Sequence, residues 1–316
     1  MYILMLVLAI CSGLFFAVQG PVNAALGKRT SVFQGSLISF FGGTVISAIL
    51  MLIIGDGDLS RISSTQVWQI IGGLYGVINV GMIIVAIPLL GAALTLTVIM
   101  LGQLSAGVVI DHFGLFGSEA TVISGFRVAG ILTITAGIIL IYIGSLDKVM
   151  ERLHVGPDGK PAEPRHKGTY RIIMLFLTFV AGIFGAIQSP TNASLAGVVG
   201  NWEGTFISFV VGTIALIPIT LIANKGKFVS IRKNDIKPWM LLGGIYGVEG
   251  IFLSLLTVVT LGTAMQVACG MIGQLSGGMI IDTFGLISAP KVPVNKKRLT
   301  GIFIILAGVV IVTIGR

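Results

Sequence analysis

Residues 13–26 read GLFFAVQGPVNAAL, and residues 182–195 read GIFGAIQSPTNASL. A second pair of stretches is also alike, since residues 101–114 read LGQLSAGVVIDHFG and residues 272–285 read IGQLSGGMIIDTFG. The interval between the copies is nearly the same for both pairs, at 169 and 171 residues. The chain therefore contains one structural unit twice, in the same internal order.

The composition indicates an integral membrane protein built from helices. Hydrophobic residues make up 55% of the chain and charged residues only 10%, and the mean hydropathy is +1.03. A chain of this composition cannot bury its apolar surface in one core surrounded by water. The net charge of +8 does not indicate a nucleic-acid partner, because the basic residues lie in short loops without interleaved aromatic residues. We expect these residues to contact lipid headgroups.

The apolar runs predict ten transmembrane helices. A bilayer core of about 30 Å needs about 20 apolar residues in a helix. Runs of this kind lie at about 2–26, 31–54, 66–87, 91–110, 124–146, 170–196, 203–224, 238–259, 261–281 and 298–315. We therefore expect a five-helix repeat over residues 1–146, a polar linker over 147–169 and a second five-helix repeat over 170–316.

The odd number of helices in each repeat predicts that the second copy enters the membrane from the opposite side. Such halves are antiparallel, which is an inverted repeat. The loop charges agree with this orientation: of the 20 Lys and Arg residues, all but Arg61, Arg127 and Arg316 lie on the side of the linker. Positive charge marks the cytoplasmic side. We therefore expect a cytoplasmic linker and both termini outside the cell membrane.

Two pairs of amide side chains lie inside apolar helices, where they need partners. The pairs are Gln19 with Asn23 and Gln188 with Asn192. Each pair brackets a proline, Pro21 or Pro190, which removes a backbone hydrogen bond and frees a carbonyl group. The amides are expected either to satisfy the loosened backbone and join helices, or to face a polar cavity that binds substrate. These two interpretations are compatible.

Two further pairs of residues are candidates for the same cavity. Gln103 and Gln274 lie in glycine- and serine-rich runs, which favour either close helix packing or contact with a substrate. Tyr75 and Tyr246 lie beside glycines within helices. They are candidates for lining the cavity, and the alternative for them is aromatic packing.

Aspartate and arginine recur at the ends of matching helices. Asp111 and Asp282 end the fourth and ninth predicted spans, and Arg127 and Arg298 begin the next ones. We predict an ion pair in each half, Asp111 with Arg127 and Asp282 with Arg298. Since these pairs lie at the membrane edge, we assign them to the scaffold rather than to the substrate site.

Glu249 breaks the symmetry between the repeats. It lies deep in the eighth predicted span, where the first repeat has Ile78. A carboxylate at this depth is costly when ionised, so it can exchange a proton against a substrate. We predict that Glu249 couples transport to protons; the alternatives are contact with a cationic substrate and a hydrogen bond that fixes helix packing.

The repeated motifs resemble the YdcZ-like branch of the drug/metabolite transporter superfamily. The resemblance covers nearly the whole chain except the linker, and it implies an inner-membrane exporter of small molecules with two fused five-helix domains. One departure is the orientation, because ten-helix relatives usually keep both termini in the cytoplasm.

These patterns together predict a secondary transporter that moves a small molecule by alternating access. A passive channel or facilitator is the alternative, and a membrane enzyme is a remote one because no catalytic or metal-binding constellation lies in the spans. We expect no cofactor, no metal and no nucleic acid, and the lipid bilayer as surroundings. Because both antiparallel halves are in one chain, a monomer is expected to suffice, with a homodimer as the alternative.

Overall fold

The computed structural model describes residues 1–90, 92–122, 124–153, 168–229, 236–288 and 296–314. Helices and short turns make up this part of the chain, and it contains no β-strand. The helices are α1 (Tyr2–Gly27), α2 (Val32–Ile54), α3 (Val67–Ile70), α4 (Gly72–Leu90), α5 (Ala92–Phe113), α6 (Gly125–Leu153), α7 (Gly168–Val199), α8 (Asn201–Ala223), α9 (Gly243–Leu261), α10 (Thr263–Phe284) and α11 (Lys296–Ile314). Helix α6 runs into the predicted linker, whose middle lies outside the described residues.

Within the described residues, eight helical segments are long and apolar enough to cross a membrane. They lie in α1, α2, α5, α7, α8, α9 with its preceding turn, α10 and α11. Helices α4 and α6 carry shorter apolar stretches, Gly72–Ile83 and Gly125–Ile141. The chain is therefore a helical multi-pass membrane protein. The predicted count of ten spans requires α4 and α6 to cross as well.

The two copies repeat their backbone in detail at the ends of α5 and α10. Gly114 follows α5 with a φ of 62°, and Gly285 follows α10 with a φ of 64°. This left-handed conformation is open to glycine because it has no Cβ atom. A short 3-10 turn comes next in each half, Leu115–Gly117 and Leu286–Ser288. The same local sequence thus ends both helices in the same way.

Helices of the two halves pack on one another in matching pairs. Helix α1 packs on α9 and α10, and its repeat counterpart α7 packs on α4 and α5. Helix α2 packs on its counterpart α8, α5 packs on α10, and α6 packs on α11. This set of neighbours is unchanged when the halves are exchanged. Each half therefore completes the packing of the other instead of forming a separate body.

Glycines allow the closest of these crossings. A methyl group built on Gly102 of α5 would overlap the backbone carbonyl oxygen of Phe179 in α7. In the matching crossing, a methyl group on Gly273 of α10 would overlap the carbonyl oxygen of Ile10 in α1. In lipid, helices associate through close packing of this kind, because no hydrophobic force drives them together.

Candidate functional site

A cavity of about 130 Å³ lies between the helices of both halves. Its lining comes from α1, α2, α4, α5, α7, α8, α9 and α10. The polar part of the lining consists of amide and hydroxyl side chains: Gln19, Asn79, Gln103, Gln188, Asn192, Gln266, Gln274, Ser12, Ser189 and Ser254. No charged side chain is among the described residues that line this cavity.

The structure brings part of the predicted substrate-binding set together. The predicted residues in the cavity lining are Gln19, Gln103, Gln188, Asn192 and Gln274. Asn23, Tyr75 and Tyr246 are not among the lining residues. Tyr246 lines a separate, more open pocket of about 410 Å³ beside Lys237. Tyr75 stacks on Phe184, with the two ring centroids 5.8 Å apart.

The equivalent glutamines of α1 and α7 are held in equivalent ways. The Gln188 amide lies against Gly76 of α4, and the Gln19 amide lies against Gly247 of α9. In each case, the amide nitrogen lies so close to the glycine that a Cβ atom built there would overlap it. A larger residue at either glycine would therefore displace the amide from its present position.

The equivalent asparagines also rest on glycines of the other half. The Oδ1 atom of Asn192 lies against Gly72, and that of Asn23 lies against Gly243. Both oxygens are buried, and neither accepts a hydrogen bond from an N–H or O–H group in the described part of the chain. A glycine Cα–H group in this position can act as a weak donor. Of these two asparagines, only Asn192 also lines the cavity.

Asn79 is a lining residue that the comparison of repeats did not single out. Its Nδ2 atom donates a hydrogen bond to the carbonyl oxygen of Ala181 at 2.9 Å. The amide nitrogens of Asn79 and Gln103 both lie 2.7 Å from where a Cβ atom of Gly185 would be. The small residue at position 185 therefore makes room for two amides side by side.

A buried polar chain on the opposite wall was also missed. Gln266 Nε2 donates to Ser254 Oγ at 3.1 Å, and Ser254 Oγ donates to Ser12 Oγ at 3.3 Å. Ser12 Oγ in turn donates to the carbonyl oxygen of Ala9 at 2.9 Å. A sequence signal for Gln266 exists, because it precedes Gln274 by two helical turns and so shares its helix face.

The two walls differ where equivalent helices cross. In the crossing of α1 with α9, the Phe16 ring packs against Gly250. In the crossing of α7 with α4, Gly185 stands in the position of Phe16, and Asn79 stands in the position of Gly250. The glycine therefore lies on α7 and the larger side chain on α4, the reverse of the first crossing. One wall of the cavity therefore carries an aromatic ring where the other carries an amide.

The predicted ion pairs differ in length and burial. Arg298 Nη2 lies 3.0 Å from Asp282 Oδ2, and the Asp282 side chain is 33% exposed. Arg127 Nη2 lies 3.9 Å from Asp111 Oδ2, and the Asp111 side chain is 2% exposed. Neither pair lines the cavity.

Asp111 has closer partners than Arg127. Its carboxylate accepts hydrogen bonds from the backbone N–H groups of Thr263 at 2.6 Å and Ala264 at 2.9 Å. These are the first residues of α10, whose unpaired N–H groups attract negative charge. Asp111 therefore joins the end of α5 to the beginning of α10, a contact that the local motif could not show.

Glu249 lies on α9, half buried and outside the cavity lining. Within the described part of the chain it makes no hydrogen bond and no ion pair. Its neighbour Gly247 faces Gln19, and Gly250 faces Phe16, so the glycines rather than Glu249 meet α1. The coupling role of Glu249 stays a prediction.

A pair of equivalent residues holds the loops that follow α2 and α8. Gln34 Nε2 donates to the carbonyl oxygen of Val229 at 2.8 Å, and Val229 N donates to Gln34 Oε1 at 2.8 Å. We call this contact the Gln34 lock. It joins the start of α2 to the segment after α8.

The repeat counterpart of Gln34 is Glu203, which is 3% exposed. Its Oε1 atom accepts a hydrogen bond from Gly57 N at 3.2 Å, while Oε2 has no partner among the described residues. We call this contact the Glu203 lock. Because it joins the start of α8 to the segment after α2, the two locks are equivalent in position and differ in the number of hydrogen bonds.

A family model described as "Putative inner membrane exporter, YdcZ" matches residues 4–140 and matches again at residues 173–311. The chain belongs to the YdcZ family of the drug/metabolite transporters. Each of the two YdcZ matches contains one copy of both repeated motifs, and the whole predicted linker lies between the matches. Among solved structures, one titled "Crystal structure of protein" is 16% identical and matches with a TM-score of 0.65 over 98% of this YdcZ chain and 96% of that chain. That likeness shows a shared fold. No curated protein matches the sequence.

Proposed function

We propose that the chain is a secondary transporter that moves a small molecule by alternating access and binds it in the central cavity. The observation that carries this proposal is the lining, to which both halves contribute equivalent amides. Gln19 and Gln188 form one such pair, and Gln103 and Gln274 form the other. A polar cavity between two related halves is the usual position of the substrate site in secondary transporters.

Contacts at the helix ends support an antiparallel arrangement of the halves. Asp58, just after α2, donates its backbone N–H to the carbonyl oxygen of Val199 at the end of α7. Helix α2 runs back along α1 after a short turn, so α7 ends on the side where α1 begins. The repeats 1–146 and 170–316 then have opposite orientations, and each crosses the membrane five times.

The distribution of Lys and Arg supports a cytoplasmic linker and outer termini in an inner membrane. Export is the direction that the description of the family favours. Because the chain contains both halves of the cavity, we propose that a monomer is functional.

The two locks supply candidate gates. The Glu203 lock holds the first turn of α8, and the Gln34 lock holds the segment that follows the last turn of α8. The locks therefore lie at opposite ends of one helix that also lines the cavity through Phe209. Alternating access requires that one gate opens while the other stays closed.

Exchange across the membrane of proteoliposomes tests this proposal. The purified chain is reconstituted, and counterflow is measured with a neutral panel (erythritol, xylitol, arabinose) and a charged panel (lysine, glutamate, tetraphenylphosphonium). A transporter accelerates exchange of at least one solute about tenfold over protein-free vesicles and over the double variant Gln19→Leu, Gln188→Leu. The control is Gln66→Leu, which removes an exposed amide outside the cavity. Single-channel currents without counterflow would instead favour a channel.

Proton coupling through Glu249 has its own test. We expect Glu249→Gln to abolish the pH dependence of exchange, because the amide cannot bind and release a proton. The control is Glu119→Gln, which removes an exposed carboxylate in the loop after α5. A pH profile of Glu249→Gln that matches the unmodified chain would contradict the coupling role and leave alternating access in place.

A further inference from the structure

The geometry of the cavity points to a small uncharged solute rich in hydroxyl groups, with the chemistry of a short polyol or a sugar. This inference rests on the proposed function, since it names the substrate class of the same cavity. Its support is the uncharged lining, the free amides and the aromatic residues of the cavity.

The lining offers no countercharge for an ionic solute. The buried carboxylates Asp111 and Glu203 and the half-buried carboxylate Glu249 all lie outside it. Burying an ion away from water costs several kcal/mol unless an opposite charge pairs with it. Amide dipoles alone do not repay this cost for a full charge. The cavity as built therefore discriminates against cations and anions alike.

The amides of the lining are open for a ligand. Gln19, Gln188, Gln103 and Gln274 make no side-chain hydrogen bond to any residue that the structure describes. Each amide offers two N–H donors and one carbonyl acceptor. A hydroxyl group both donates and accepts, so a solute with several hydroxyls can satisfy donors and acceptors of the lining at once. A solute that only donates or only accepts would leave half of these groups unpaired, at a cost for each.

Neighbouring polar groups hold fixed positions around these free amides. Asn79 is bound to the Ala181 carbonyl, and Gln266 is bound to Ser254. A lining that is partly fixed binds with less loss of side-chain freedom. The free glutamines can then adjust to the solute, while Asn79 and Gln266 define the walls.

Three aromatic rings form part of the apolar lining of the cavity. Phe40 and Phe209, which are repeat equivalents, lie in the lining with their ring centroids 5.6 Å apart, and Phe16 lines the α1 wall. Polyols and sugars carry C–H groups between their hydroxyls, so they present an apolar surface to such rings. The cavity volume of about 130 Å³ has room for several water molecules, and so for a small solute such as a short polyol.

Counterflow with the two solute panels tests the inference. We expect xylitol, erythritol or arabinose to exchange at least tenfold faster than in protein-free vesicles, and lysine, glutamate and tetraphenylphosphonium to show no acceleration. Exchange of a charged solute without exchange of a neutral one would overturn the inference and leave the transporter function standing. No exchange with either panel would overturn the proposed function together with the inference.

A charge placed in the cavity gives a second readout. Gln103→Glu should lower exchange of the neutral solute about tenfold, because an unpaired carboxylate holds water in the cavity. The control is Gln66→Glu, the same substitution on the exposed loop, which should leave exchange unchanged. Thermal unfolding of both variants in detergent shows whether they fold. A folded Gln103→Glu variant that exchanges the neutral solute at the original rate would contradict the inference.

Discussion

The α1 wall and the α7 wall of the cavity come from the same repeated sequence and yet differ in their lining. They agree where an amide rests on a glycine of the other half, as Gln19 does on Gly247 and Gln188 does on Gly76. They differ at the helix crossing. The α1 wall carries the Phe16 ring there, and the α7 wall carries the Asn79 amide. Agreement between the copies therefore marks the scaffold and the amide lining that both halves share. Where the copies differ, the α1 wall and the α7 wall present different side chains to the cavity.

The largest expected effect comes from the helix-end aspartates, which occupy equivalent positions. Asp111→Ala should lower the free energy of unfolding by about 3–5 kcal/mol, since it leaves Arg127 and two N–H groups of α10 buried without their partner. Asp282→Ala should cost about 1 kcal/mol or less, because its ion pair is partly exposed. Thermal unfolding in detergent measures both. Equal losses would show that Asp111 and Asp282 stabilise the fold equally despite their different burial.

The two locks give the next largest effect. Gln34→Glu should lower the free energy of unfolding by about 1–3 kcal/mol, because it replaces an N–H donor to Val229 by an oxygen that repels the carbonyl group. The reciprocal change Glu203→Gln should cost less than about 1 kcal/mol, since Oε1 still accepts from Gly57. Chemical denaturation of the reconstituted variants measures the difference. A larger loss for Glu203→Gln would mean that the carboxylate charge itself holds that lock.

The smallest expected effect is the difference in solute exchange between variants of Gln103 on α5 and Gln274 on α10. Gln103→Leu should slow solute exchange about tenfold, and Gln274→Leu only about threefold, because Gln103 lies beside Asn79 and can share a ligand with it. Counterflow rates of the two variants give the comparison, with unfolding temperatures as the check on folding. Equal rates would place the solute symmetrically between the walls.

The helices and their membrane character were predictable from local sequence. Apolar length and the need to satisfy every backbone group within the helix define them before any packing is considered. The repeat also identified Gln19, Gln103, Gln188, Asn192 and Gln274, which the structure places in the cavity lining. The comparison with the YdcZ family confirms the membership that these motifs indicated.

The comparison of the two repeats did not identify Asn79 and Gln266 as lining residues. Their repeat counterparts are Gly250 and Thr95, so a search for amide side chains common to both copies passes over them. Such residues come into the cavity through the crossing of helices from different halves. Asn23 is the opposite case. The repeat comparison selected it for the cavity, but it is absent from the lining.

The sequence by itself determined the helices, the duplication and the membrane environment, because hydropathy and backbone hydrogen bonding act over one or two helical turns. The tertiary structure decided which amides share a cavity and where Glu249 lies relative to it. It also decided that Asp111 binds the first turn of α10, a helix 152 residues further along the chain. Those features depend on how helices from different halves cross, and the closest crossings are set by glycines whose partners lie in the other copy.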